Sequence, residues 1–416
     1  MRDPRVRFDF LLSMNSKVIL PDISRLGSAV HLVPFSRSPL PWSWGNPYLC
    51  GVRKILRNCK YDAVHVHQFD LSGEILRIAA QEQVPVRVMS VHASKYENPR
   101  FYRRFIHYVY GRPNVFRYAT NILPCSQAVA ESFTSFVVNM LPAAKFLNAK
   151  KQILYTGINP EVFENADRLR NKNETGKRLR RELGIPDHAT VLGHIGRFTH
   201  QKNHRFLLDL MKFLQDMKDN PLCENLSCEN TSCENTSCEN TSRENTSRAK
   251  LNVKMGNRGG GGQDVYFVLV GHGERWEEIR RDIRSRKLED RMILTGSRSD
   301  VPDLLCSLFD VFVLPSFYEG LPIAAMEALV AGLGVVYSDR ISCELDHFFP
   351  QRVRRVALEA SKTYWIKAIY EMVGARCEPS CALTELSATP FTLQSSLEHL
   401  ISIYQQQDVD AISSLG

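Results

Sequence analysis

Two glutamates, Glu319 and Glu327, stand eight positions apart in FYEGLPIAAMEALVA at 317–331, directly after the apolar run VFVLP. A carboxylate accepts two hydrogen bonds from neighbouring hydroxyls, so each could hold a vicinal diol. Gly320 permits close backbone approach, and Pro322 suits a first helical position. The loop before the helix and the helix N-terminus would then present free amides to an anion such as a phosphate. A second cluster, GHIGRFTHQKNH at 193–204, places Arg197 and Lys202 five residues apart between a strand end at Gly196 and a new helix. Two cations there suit a diphosphate, whose negative charge grows as it leaves. VGHGERWEEI at 270–279 puts Gly271 and Gly273 between strand and helix, which by itself means no more than a tight turn. HVHQ at 65–68 and SVHAS at 90–94 bring His67 and His92 to strand ends. Each pattern also has a plain structural reading: helix-start glutamates, solvated cations on a surface turn, histidines satisfied in a core.

Such residues need elements to carry them. Short β-rich runs at 63–67, 86–91 and 121–124 alternate with helical stretches at 71–81 and 127–136, and Ser126 stands where its hydroxyl would cap the second helix. A second series of runs covers 152–155, 190–195, 265–270, 292–295, 311–314 and 334–337, with helices at 204–219, 275–286, 301–308 and 322–331 between them. Alternation of this kind predicts two doubly wound α/β domains, whose ligands bind at the carboxyl ends of the strands. The expected division is an N-terminal Rossmann-like domain over 1–150, a second Rossmann-like domain over 151–350 and a helical segment over 351–416. Residues 223–247, CENLSCENTSCENTSCENTSRENTS, form a five-residue repeat followed by a glycine-rich stretch. Their low hydrophobicity predicts a disordered insertion spanning 221–262.

With 416 residues, 44% hydrophobic and 24% charged, the chain has the composition of a soluble two-domain protein. No run of about 18 apolar residues predicts a membrane-spanning helix, and the N-terminus lacks a signal-peptide cleavage site. The eleven cysteines show no zinc or disulfide spacing, so reduced thiols and a cytoplasmic location are expected. The net charge of +8 is divided unevenly, +11 over residues 1–150 and −3 over the remainder, which predicts an anionic partner for the first half.

Taken in order, GHIGRFTHQK, VGHGE and FYEGLPIAAME resemble family 4 of the retaining glycosyltransferases, in its branch for capsular, exopolysaccharide and O-antigen chains. TGIN at 156–159, LTGSRSDV at 294–301 and SDRISCE at 338–344 extend the likeness, which covers about residues 8–370 apart from the repeat. The resemblance implies a GT-B architecture of two Rossmann-like domains facing a cleft. It implies that Glu327 holds the nucleotide ribose, that Glu319 and His92 act at the transferred sugar, and that Arg197 and Lys202 grip the diphosphate. Gly196 and the amides of Gly320 and Leu321 would assist, and Arg298 would lie near the base. The implied donor is a UDP- or GDP-linked sugar. The implied acceptor is a saccharide, polyprenyl-diphosphate-linked or free, and neither a metal nor another cofactor is expected. The chain opens at what resembles the family's second strand, so the N-terminal domain is expected to lack the first strand and its glycine-rich loop. A catalytically weak or inactive GT-B protein is therefore the alternative to an active transferase, and a phosphorylase or epimerase of the same fold stays open.

A nucleic-acid partner is not expected, because the basic residues are dispersed and no recognition motif accompanies them. An anionic membrane surface fits better. RFYRRFIHYVYGRPNVFR at 100–117 mixes Arg100, Arg103, Arg104, Arg112 and Arg117 with Phe and Tyr, which suits peripheral binding on the inner face of the plasma membrane.

Overall fold

The computed structural model describes residues 5–14, 23, 27–35, 46–67, 71–92, 107–138, 151–163, 172–219 and 264–405. The repeat and the arginines at 100, 103 and 104 lie outside the described residues.

The first half begins with a parallel pair, β1 (Phe10–Leu12) and β2 (Val30–Leu32). Helix α1 (Pro47–Cys59) follows, started by Asn46, whose side chain accepts from the Tyr48 amide at 3.0 Å. Its apolar positions Leu49, Val52 and Leu56 recur at helical spacing and are all buried. Next come β3 (Ala63–Val66), α2 (Ser72–Gln81), β4 (Val86–Val91), α3 (Arg112–Tyr118), β5 (Asn121–Pro124) and α4 (Gln127–Val138). The three strands form a parallel sheet in the order β3-β4-β5. β4 is central, and Val88, Met89 and Val91 are wholly buried, as a strand covered on both faces requires. Ser126 caps α4 as expected, its hydroxyl accepting from the Val129 amide at 3.2 Å.

The second half carries α5 (Lys172–Leu183), β6 (Thr190–Ile195), α6 (His204–Asp219), β7 (Val265–Val270), α7 (Trp276–Ser285), β8 (Met292–Gly296) and the short α8 (Val301–Asp303), which continues as a π-helical turn to Leu308. β9 (Val311–Leu314), α9 (Ile323–Val330), β10 (Gly334–Ser338), α10 (Glu344–Phe348) and β11 (Val353–Val356) complete the sheet region. All six strands are parallel, in the order β11-β10-β9-β6-β7-β8. After β8 the chain returns to the other side of β6, so the strand order reverses between β6 and β9. In open α/β sheets that reversal opens a crevice at the carboxyl ends of the two strands.

Three expectations are corrected. The run at 152–155 is not a strand of the second sheet: Gln152 and Leu154 donate to Ile122 and Pro124, at the edge of the first. Alternation announces extended backbone and is silent about which sheet receives it. The segment from 351 onward is not purely helical, because β11 extends the second sheet before α11 (Lys362–Val373), α12 (Pro379–Ser387) and α13 (Leu393–Tyr404). Arg112 does not face a membrane: it is 3% exposed, with its guanidinium 4.8 Å from the Tyr108 ring centre and 4.7 Å from that of Phe133. Aromatic faces stabilise a cation that has left water, and here they do so inside the domain.

The chain crosses between its halves twice, and the crossings run side by side. The Ile158 amide donates to Phe391 and the Leu393 amide to Ile158, at 2.8 and 3.0 Å. Helix α13 then lies on the first sheet, where Ile403 joins Val86, Val88 and Leu123 in one apolar cluster.

Candidate active site

The crevice between β6 and β9 receives both predicted clusters. β6 delivers Gly196 and Arg197, while the loop after β9 delivers Glu319 and Gly320. Residues 117 apart in sequence then meet: Lys202 Nζ lies 2.7 Å from Glu319 Oε1. The two loops are tied further by their backbones. Gln201 donates from Nε2 to Glu319 Oε2 at 3.0 Å and to the Tyr318 carbonyl at 2.9 Å, and its own carbonyl accepts from the Phe317 amide. Asn203, in the left-handed region at φ 53°, donates to the Pro315 carbonyl at 3.1 Å. His200 stacks on Phe317 with ring centres 4.8 Å apart. Gln201 carried no signal in the sequence, because its role depends on a loop more than a hundred residues away.

The glycines of the third motif back this loop and do more than ease a turn. Gly271, at φ 133°, lies so close to Gly196 that a Cβ there would stand 2.1 Å from the Gly196 carbonyl oxygen. Arg197 is exposed, and its only ion pair among the described residues is a loose 3.8 Å approach to Glu274. A cation held so weakly is available to a ligand.

Glu327 lies on α9, with Pro322 as the residue that starts the helix. It is half-buried, and its carboxylate has no hydrogen-bond partner among the described residues. Desolvation therefore raises its pKa above the ordinary value. The amides of Gly320 and Leu321 likewise have no acceptor among the described residues, and both residues are buried. Arg298 behaves differently. Its guanidinium is bidentate to Asp300 at 2.6 and 2.7 Å and reaches Glu182 at 2.5 Å. These partners raise its pKa further and leave the fork committed to them.

The first domain closes the crevice from above. A Cβ on Gly320 would lie 2.0 Å from the carbonyl oxygen of His92, so glycine is required where the two domains touch. Beside this contact, Glu344 accepts from the Gln127 amide at 2.6 Å and from the Ser342 hydroxyl at 2.7 Å. A carboxylate of the second domain thus caps α4 of the first, a bridge that sequence spacing does not announce. His92 follows β4, exposed to the crevice, with its Nε2 3.0 Å from His67 Nδ1. Desolvation lowers the pKa of both rings, that of His67 to about 4 with the nearby His92 contributing, so both are neutral at neutral pH.

Among the described residues no group of histidine, cysteine, aspartate and glutamate could hold a metal ion, and the free thiols include buried Cys125, which burial and Glu344 push up to about 12. No helix among them is long and apolar enough to cross a membrane.

The arrangement offers cations and free amides for an anion, carboxylates for hydroxyls and a neutral imidazole across the gap. Comparison with known proteins gives the family. The model for a glycosyl transferase 4-like domain matches residues 6–145, and that for glycosyl transferases group 1 matches residues 254–349. Between them they cover more than half of the chain. A Bacillus subtilis protein named "Putative glycosyltransferase EpsF" is 23% identical over 407 residues, covering 97% of this chain and 90% of that protein. An Escherichia coli enzyme named UDP-Gal:alpha-D-GlcNAc-diphosphoundecaprenol alpha-1,3-galactosyltransferase is 26% identical over 294 residues, 70% of this chain and 61% of its own. Among solved structures, Anabaena HepE in complex with UDP superposes with a TM-score of 0.63 at 16% identity, over 97% of this chain and 91% of that one. A glycosyltransferase from Rickettsia africae gives 0.63 at 13% identity, over 94% and 88%. These likenesses place the GT-B fold, and with the family matches they identify the chain as a glycosyltransferase of family 4.

Proposed function

We propose that the enzyme transfers a sugar, with retention of anomeric configuration, from a nucleoside-diphosphate sugar to a lipid-linked saccharide of a growing cell-envelope polysaccharide. The carrying observation is the meeting of Lys202 with Glu319 at the strand-order reversal, directly below His92. In this reading Glu327 accepts hydrogen bonds from the ribose hydroxyls. Arg197, Lys202 and the Gly320 and Leu321 amides surround the diphosphate, where they offset charge as it develops. Glu319 and His92 face the sugar. The bond from the anomeric carbon to the diphosphate oxygen breaks, the acceptor oxygen bonds to that carbon on the same face, and the acceptor proton passes to the departing diphosphate oxygen. The cations supply the charge compensation, so the reading requires no metal or other cofactor. Arg298 acts through its backbone beside the base, since its guanidinium is held by Asp300 and Glu182.

A uridine diphosphate donor is favoured over a guanosine one, because the Escherichia coli relative is named for UDP-Gal and the Anabaena structure holds UDP. The diphosphoundecaprenol in the name of the relative favours a polyprenyl-diphosphate acceptor. Such an acceptor calls for a location on the cytoplasmic face of the membrane, held through the basic first half. Of the arginines expected there, Arg112 is excluded by its burial.

The test is release of nucleoside diphosphate from a panel of UDP- and GDP-sugars, with polyprenyl-diphosphate-linked N-acetylglucosamine as acceptor and anomeric configuration read by NMR. Turnover that disappears in Lys202→Met and Glu319→Ala supports the assignment. Failure of UDP and GDP to bind at millimolar concentration overturns it.

A further inference from the structure

Three histidines converge where β3 and β4 end, and only one of them has been given a task. His65 and His67 are two residues apart on β3 and its end, so they share a face, and Ser90 and His92 do the same on the neighbouring strand. The His65 ring is clamped on both sides: Nδ1 lies 2.6 Å from the Tyr404 hydroxyl, and Nε2 lies 2.7 Å from the Ser90 hydroxyl. His67 is stacked against it, with ring centres 4.2 Å apart and planes 28° apart. On its other side His67 lies edge to edge with His92 in nearly the same plane, ring centres 5.3 Å and planes 11° apart, its Nδ1 3.0 Å from His92 Nε2.

A neutral imidazole carries one N–H and one lone pair, so two neutral rings joined by one hydrogen bond have correlated tautomers. Either His92 donates from Nε2 to the His67 Nδ1 lone pair, or His67 donates from Nδ1 to the His92 Nε2 lone pair. The first arrangement puts both rings in the Nε2–H form, which free imidazole side chains prefer. The second puts both in the less favoured Nδ1–H form. Protonation of either ring would break the correlation, and desolvation opposes it in both.

We propose that His67 is a positioning residue: it holds His92 as the Nε2–H tautomer in a fixed plane, leaving His92 Nδ1 as a hydrogen-bond acceptor. An acceptor nitrogen suits a hydroxyl of the transferred sugar and repels a phosphate oxygen, so His92 discriminates between the two parts of the donor. The inference rests on the placement of His92 at the donor sugar. His65, braced by Ser90 and by Tyr404 of the returning helix α13, is the wall against which His67 is held.

The experiment is long-range ¹H–¹⁵N correlation of the histidine rings in the full-length protein at pH 7.5, without ligand and then with UDP. His92 should show a single Nε2–H pattern in the wild type. In His67→Phe, which keeps the stacking on His65 and removes the acceptor, it should become a mixture. His67→Asn, whose side-chain oxygen can stand where Nδ1 stood, should restore the single pattern. UDP should bind all three proteins within twofold, because the diphosphate does not use the His92 lone pair. A single unchanged His92 pattern in His67→Phe, or a mixture already present in the wild type, overturns the proposal. Full sugar transfer by His92→Ala would instead refute the catalytic placement of His92, and the ring spectra would still decide whether His67 fixes its tautomer.

Discussion

Glu327 separates affinity from stability. Its carboxylate is half-buried on α9 and has no partner among the described residues, so the fold bears a desolvation cost that none of them offsets. If the ribose hydroxyls are the missing partners, Glu327→Gln should move the two properties in opposite directions. Loss of charge-assisted hydrogen bonds costs about 1.5–3 kcal/mol, so UDP should bind about 10- to 150-fold more weakly. The neutral amide removes the buried charge, so the free protein should become more stable; each 1 kcal/mol gained raises Tm by about 2–4 °C for a domain of this size. The pH dependence follows with a definite sign. A carboxyl whose folded pKa is raised binds more protons folded than unfolded, so stability contributed by the protonated form is lost as pH climbs through the raised value. Glu327→Gln should abolish that part of the decline. Calorimetric titration with UDP and thermal melts from pH 4 to 8 read both effects. Unchanged affinity together with a lower Tm would mean that the carboxylate is structural, and the ribose assignment would fall.

Lys202→Met leaves the buried Glu319 carboxylate with only Gln201 among the described residues, and should destabilise by about 2–3 kcal/mol in urea unfolding. Adding Glu319→Gln should recover about half of that loss, and strict additivity would show that the pair is not coupled. Gly320→Ala drives a methyl into the His92 carbonyl, so urea unfolding should show a loss of about 1–3 kcal/mol and sugar transfer should fall at least tenfold. His65, His67 and His194 have pKa values lowered by burial to about 3, 4 and 4, so each takes up a proton more readily when unfolded. Stability should therefore fall as pH drops from about 6.5 towards 4, and His194→Leu should flatten the decline by up to about 1.4 kcal/mol per pH unit.

The second domain was the more legible half because its chemistry sits beside its punctuation. Strand, glycine, charged loop and helix follow one another at 190–204 and again at 311–330, and each unit reads locally. That Lys202 would meet Glu319 followed from neither unit alone; it required the strand order to reverse between them. The first domain was less legible, since β1 and β2 are three residues each and α1 has no neighbouring motif. The destination of 152–155 and of α13 was hidden for a common reason. An apolar stripe predicts burial and does not name the surface that provides it, and both segments went to the first sheet.

That choice bears on catalysis. In the proposed mechanism His92 works at a donor held by the other domain, and two of the described contacts join the domains beside the crevice. One is the Gly320 backbone against the His92 carbonyl, and the other is the Glu344 carboxylate on the Gln127 amide. The Gly320–His92 contact is main chain on both sides, so it cannot adapt by changing rotamer. The paired crossings at Ile158 and Phe391–Leu393 join the two domains through the main chain. A movement that parted the domains would break both contacts, while the Lys202–Glu319 pair would stay whole because both its members belong to the second domain. On the proposed assignments, the diphosphate grip would be formed within the second domain alone, and the sugar would meet His92 only when the first domain is in place.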